Sequence, residues 1–363
     1  MCPLAFAEGC WHNKYYMQPC PTRTGFFLSE YTTLGFQGVI NLMNIKIQTK
    51  KILVAYMCVI LMIFSVIACD QEKSNLPSES PNNAYEAITV IDSRGREIIF
   101  EAPPKRIISL SPAHTEILYK LELEADLVGT DTFSDFPSEA QSKPKVGDAF
   151  NINLEAIAEL EPDLVYTTFD TPVAALEDMG IKVLYLFAAK DIQGVIENIA
   201  LMGSITNRQN EAKNITTSME KRIESIRSSL ADKDVRERIY YELDPGLYTA
   251  GPESFIGDIL DLLKTHNISE GTSNPYPQLS QEIIIESDPT IIILGDSAKY
   301  LTGGITVAEV KDRPSWHNIS AIKSGRIYPF NDSLISRPGP RIIDGIDQLA
   351  LLIYPEIFQD ITR

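Results

Sequence analysis

From about residue 84 the chain alternates short apolar runs with amphipathic stretches, and nothing else in it restricts the possible folds so strongly. "RIISL" (106–110), "LVGT" (127–130), "DLVYTT" (163–168) and "KVLYLF" (182–187) read as buried strands. Helical spacing fills the gaps at 113–121, 153–160, 172–179 and 191–203. The alternation resumes with "RIYYEL" (238–243), a helix near 254–263, "TIIILG" (290–295), "RIYPF" (326–330) and a last helix from Pro340 to Tyr354. Parallel strands need a crossover long enough to hold a helix, so strands that alternate with helices build parallel-rich sheets with helices on their faces. The expected fold is α/β.

An internal echo divides that fold in two. "NLEAIAELEPDLVY" (153–166) and "SQEIIIESDPTIII" (280–293) share a polar start, a Glu, a short amphipathic helix, an acid, a Pro and an apolar strand. Glu155 to Pro162 and Glu282 to Pro289 both span seven positions, and the copies lie 127 residues apart. Two similar α/β lobes follow, at 85–207 and 236–363. Between them, residues 208–235 read as one connecting helix, with Ile215, Met219, Ile223, Ile226 and Leu230 on one face. A helix over 208–231 would be about 36 Å long at ~1.5 Å per residue, enough for a stiff strut between lobes.

The amino-terminal segment reads as an address. Ile52 to Ala68 holds no charge over 17 residues and follows Lys46, Lys50 and Lys51. A basic segment, an apolar core and a small residue before a cut site make a secretory signal peptide, placed here at 43–68 with Met43 as its start. Residues 1–42 are expected to be an upstream mis-start outside the fold. Val66-Ile67-Ala68-Cys69 resembles a bacterial lipobox, in which the cysteine takes up lipid and becomes the mature amino terminus. The alternative is an uncleaved anchor, since ~17–25 apolar residues can cross a bilayer. Residues 69–84 are polar and read as a flexible tether. All five cysteines lie at or before Cys69, so no disulfide framework is available beyond it. The first 68 residues carry five Lys/Arg against two Asp/Glu, so of a net charge of −17 the remainder holds −20. Such a surface repels phosphate backbones, and nucleic acid is set aside as a partner.

Six stretches carry a family likeness: "RIISLSPAHTEILYKL", "VGTDTFSDFP", "KVGDAFNINLEAIAELEPDLVYT", "LYTAGPESFIGDIL", "NPYPQLSQEIIIESDPTIII" and "RPGPRI". In order and spacing, from about Arg106 to Leu352, they resemble the helical-backbone substrate-binding proteins of ABC importers. That family carries cobalamin, ferric siderophores or haem, and its cobalamin branch is nearest in motif. The resemblance implies a monomer with its ligand in a cleft between two lobes, tethered outside the cytoplasm and serving a permease dimer. It places Pro112, Phe133, Asp135, Tyr248, Tyr276 and Arg337 at the cleft. Two tryptophan positions of the cobalamin branch read here as Tyr276 and Thr168, with Phe169 adjacent, and Asp332 is one position off the family's aspartate. The resemblance further implies that Glu116 and Glu282 are exposed acids that dock onto arginines of the permease.

Aromatic faces on both lobes suit a broad macrocycle with polar edges, so a corrinoid leads. A ferric catecholate would want several arginines, and only Arg337 matches a cleft position. Haem would fit the aromatics, with Tyr276 as an axial ligand, and ranks third. A bare metal ion ranks lower still, because His114, His266 and His317 are not paired at ligand spacing. No Gly-x-Ser-x-Gly elbow, phosphate loop or Cys-x-x-Cys occurs after the signal peptide, so no catalytic residue, resident metal or cofactor is assigned.

Overall fold

The computed structural model describes residues 85–148, 150–234 and 236–359. Residues 1–42, the expected signal peptide, Cys69 and the tether lie outside them. The described chain opens with an antiparallel hairpin, β1 (Ile88–Ile91) and β2 (Glu97–Phe100), which the α/β reading did not include. Its turn is held by the Asp92 carboxylate, which accepts from the backbone N–H of Arg94 and of Arg96, both at 2.9 Å.

The first lobe follows as β3 (Ile107–Ser109), α1 (Pro112–Lys120), β4 (Leu127–Thr130), α2 (Leu154–Glu159), β5 (Leu164–Thr167), α3 (Val173–Asp178), β6 (Val183–Tyr185) and α4 (Ile192–Ile205). Its four strands are all parallel, in the order β4-β3-β5-β6. Helix α5 (Gln209–Ser229) then leads to β7 (Arg238–Asp244), β8 (Tyr248–Thr249), α6 (Phe255–Leu262), β9 (His266–Asn267), α7 (Gln281–Ser287), β10 (Ile291–Leu294), α8 (Val307–Lys311), α9 (Ser320–Ser324), β11 (Ile327–Pro329), α10 (Ile342–Ile353) and α11 (Pro355–Phe358). In the second sheet β11, β10 and β7 run parallel. On the far side of β7, β9 pairs with its start and β8, antiparallel, with its end. Pro329 cannot donate to a ladder, and it sits on the edge strand, where no partner needs that donor.

Successive strand residues point to opposite faces, and here both faces are dry. On the first sheet Ile107, Leu164 and Leu184 face a central core, while Ile108, Val165 and Val183 face a satellite core under α2 and α3. On the second sheet Ile239, Tyr241, Ile291 and Ile293 face the central core, and Tyr240, Ile292 and Leu294 face a satellite core with Ile284 and Trp316. The central core runs unbroken through both lobes, carried by α1, α4, α5, α6 and α10. All its buried members lie between Val90 and Phe358, so this part of the chain encloses its own core.

Helix α5 buries Ala212, Thr216, Met219, Ile223 and Ile226 along one face. It packs along α4 and also touches α10, where the Arg222 Nε donates to Asp347 Oδ1 at 2.8 Å. The internal echo extends to the backbone. Glu161 (φ +44°) and Asp288 (φ +43°), the residues before the paired prolines, both adopt the left-handed conformation that ends a helix.

Candidate functional site

In parallel sheets, ligands bind beyond the carboxyl ends of the strands, where the βα loops begin. Here the segments beyond those ends present aromatic side chains to solvent: Phe133 after β4, Phe169 after β5, Phe187 after β6 and Tyr248 at the start of β8, with Tyr276 beside it. Tyr248 and Tyr276 are neighbours because Thr249 N–H donates to the Pro277 carbonyl at 3.0 Å and Tyr248 bridges to Gln278.

The same local device presents four aromatics. A polar side chain two residues earlier accepts from the aromatic residue's own backbone N–H: Asp131 for Phe133 (3.2 Å), Asp148 for Phe150 (2.8 Å), Thr167 for Phe169 (3.0 Å) and Asn274 for Tyr276 (3.0 Å). Such turns satisfy the backbone locally and turn the following side chain outward. Phe150 is 86% exposed, and its ring centroid lies 6.4 Å from that of Phe169. Sequence reasoning missed Phe150 and Phe187. The polar-x-aromatic spacing, Asp148-Ala149-Phe150, is the signal that would have found the first.

The loop carrying Phe133 and Asp135 is braced from below. Lys145 Nζ donates to Thr130 Oγ1 (2.9 Å) and to the Ser134 carbonyl (2.6 Å), and burial pushes its pKa down. Burial pushes the Asp131 carboxyl up, against a hydrogen bond from Ser134.

The two lobes meet where Asp135 pairs with Arg337. The guanidinium holds the Asp135 carboxyl below its usual range. Asp332, half-buried, accepts from the Tyr241 hydroxyl at 2.7 Å, and burial raises its pKa despite that bond. Burial, then the Asp332 charge, raises the pKa of the Tyr276 hydroxyl. Of the sequence-assigned cleft residues, Phe133, Asp135 and Phe169 lie beyond the ends of first-lobe strands, and Pro112 opens α1 just after β3. Tyr248, Tyr276 and Arg337 come from the second lobe. Exposed aromatic faces on both lobes can hold a broad apolar body, and an Arg–Asp pair between the lobes can fix a polar edge. Among the described residues, no group of three His, Cys, Asp or Glu is arranged to hold a metal ion.

Glu116 departs from expectation. It is 4% exposed, and Arg341 Nε donates to its Oε2 at 2.8 Å while Nη2 donates to Oε1. Burial raises its pKa, and Arg341 and Arg337 pull it back. It is therefore not the exposed acid the sequence reading made it, because the 337–341 loop of the second lobe covers it. Glu282 is exposed, at the second position of α7, where Ser280 caps the helix by accepting from Ile283 N–H at 3.3 Å. Glu155 occupies the same position of α2, exposed, behind Asn153, which accepts from Ala156 N–H at 3.0 Å. The echo in the sequence already paired Glu155 with Glu282.

Residues 107–334, which span most of both lobes, match the family of periplasmic binding proteins. The chain belongs to that family. An uncharacterized ABC transporter substrate-binding lipoprotein of Bacillus subtilis is 30% identical to this periplasmic binding protein over 283 residues, 75% of this chain and 87% of the relative. A cobalamin-binding protein of Halobacterium salinarum is 32% identical over 271 residues, 72% of this chain and 73% of the relative. Among solved structures, a possible iron-binding (periplasmic solute-binding) protein of Staphylococcus epidermidis superposes with a TM-score of 0.60 at 30% identity, covering 69% of this chain and 99% of that one.

Proposed function

We propose that this periplasmic binding protein is the extracytoplasmic, lipid-anchored component of an ABC importer, and that it captures a corrinoid and delivers it to a permease dimer. The observation that carries the ligand class is the set of exposed aromatic faces beyond the strand ends of both lobes, together with the Asp135–Arg337 pair that joins the lobes. A corrinoid offers a wide apolar ring for those faces and amide edges for the Arg and Asp. The cobalamin-binding and transporter-lipoprotein relatives support this reading.

A ferric siderophore is the second reading, favoured by the iron-binding neighbour. It ranks lower because the one arginine assigned to the cleft, Arg337, is already paired with Asp135. Haem ranks third. Tyr276 is the candidate axial ligand for it. Cys69 is assigned as the lipidated residue. Glu282, with Glu155 in place of Glu116, is assigned to permease docking, where exposed carboxylates steer and orient an encounter with basic sockets.

The test is to purify residues 70–363 from cells supplied with corrinoids and to record the absorbance and mass spectra of what co-purifies. A corrinoid spectrum at near one equivalent is expected. Iron without cobalt in the bound fraction would overturn the assignment.

A further inference from the structure

The stretch Arg337-Pro-Gly-Pro-Arg341 of the second lobe lies on the first turn of α1 in the first lobe. Gly339 makes the approach possible: a Cβ there would stand 3.1 Å from the Ala113 carbonyl oxygen. Glu116, one turn into α1, then receives both arginines. Arg341 grips it with two hydrogen bonds, and Arg337 Nη1 stands 3.9 Å from its Oε1. Phe136, also of the first lobe, covers the Arg341 guanidinium at 3.8 Å from its ring centroid. An open cavity of about 880 Å³ adjoins this contact, lined by Glu116, Phe136 and Arg341 together with Ile215 and Met219 of α5. The ionic contact thus stands beside the shared core, which Ile342 enters directly after Arg341.

We propose that Glu116 and Arg341, with Phe136 over them, are positioning residues that set the spacing of the two lobes and so aim Arg337 into the ligand cleft. The physical basis is the asymmetry of a buried pair. Removing one partner strands the other's charge, whereas removing both with apolar groups of similar size leaves the fold stable but abolishes the directional bond. A structural role alone would be restored by the apolar pair. A positioning role would not. This inference rests on the cleft reading above, and its test separates the two.

The chain after Cys69 has no cysteine, so Glu159→Cys on α2 and Glu286→Cys on α7, both exposed, place one spin label on each lobe. In residues 70–363 the distance between the labels is measured alone and with saturating cyanocobalamin, and calorimetry gives the affinity. The variants are Arg341→Lys, which keeps the charge but loses the planar fork, and Glu116→Leu with Arg341→Met. The double variant should unfold near the wild-type midpoint, show a broadened label distance that narrows on adding cyanocobalamin, and bind it at least tenfold more weakly. Arg341→Lys should weaken binding about threefold, and it carries the test should the double variant not fold. A folded variant with the wild-type distance distribution, or with affinity within twofold of wild type, would overturn the proposal. Should the wild type bind neither cyanocobalamin nor cobinamide, the corrinoid reading falls and the label distances alone decide the tie.

Discussion

His114 is the residue on which acid should act. It is fully buried in α1, stacked on Tyr166 with ring centroids 3.6 Å apart, and burial pushes its pKa from 6.5 down to about 3. Below pH 6.5 the unfolded chain takes up a proton there that the folded chain refuses, so stability is full above that pH and is lost as pH falls toward 3. Between pH 6.5 and 5 the loss from this residue should be about 2 kcal/mol. Urea unfolding of wild type and His114→Leu at both pH values checks it, and equal pH slopes would refute the assignment. Phe150 makes the opposite prediction. Being so exposed, its replacement by Ala should leave the unfolding midpoint unchanged and weaken cyanocobalamin binding about fivefold, ~1 kcal/mol. At this scale the sequence was a partial guide. The aromatics it marked are exposed in the structure, and Phe150 escaped it because a lone Phe in a polar loop carries no pattern beyond the Asp148-x-Phe150 spacing of its turn. Glu116 was misread because a helix acid looks the same in sequence whether solvent or a distant loop lies over it.

Elements were more legible than residues. Runs such as 163–168 and 290–295 became strands because they are apolar on both faces, which only a sheet covered on both sides accommodates. The β1–β2 hairpin escaped notice because its strands are four residues long and half exposed, leaving little pattern to see. The paired helices α2 and α7 carry the docking prediction. With Glu155 and Glu282 both changed to Ala, cyanocobalamin affinity should stay within twofold while association with the permease weakens, most at low ionic strength where exposed charges are least screened. A pull-down with detergent-solubilised permease over a salt series reads this. Normal docking by the double variant would show that the acids only complement their helix dipoles.

At the scale of the molecule, the lobes share a core, and this governs both stability and transport. Ile226 of α5 is fully buried in it, and Ile226→Ala should cost about 3 kcal/mol. Because the core is continuous, that loss should appear as one transition for both lobes, with near- and far-ultraviolet signals coinciding. Two separated transitions would mean that the lobes unfold independently. A shared core also limits how far the lobes can move apart, which suits a protein that holds a ligand rigidly and presents it. Neither the common core nor the Glu116–Arg341 tie was legible in the sequence, since both depend on segments far apart in the chain meeting across lobes, Glu116 and Arg341 by 225 positions. The most direct test of the account is calorimetry of residues 70–363 with cyanocobalamin and cobinamide, beside a ferric siderophore and haemin. Saturable one-to-one binding of a corrinoid, tighter than either iron ligand, is the predicted result. No heat with either corrinoid at micromolar protein, alongside clear binding of the ferric siderophore, would contradict it.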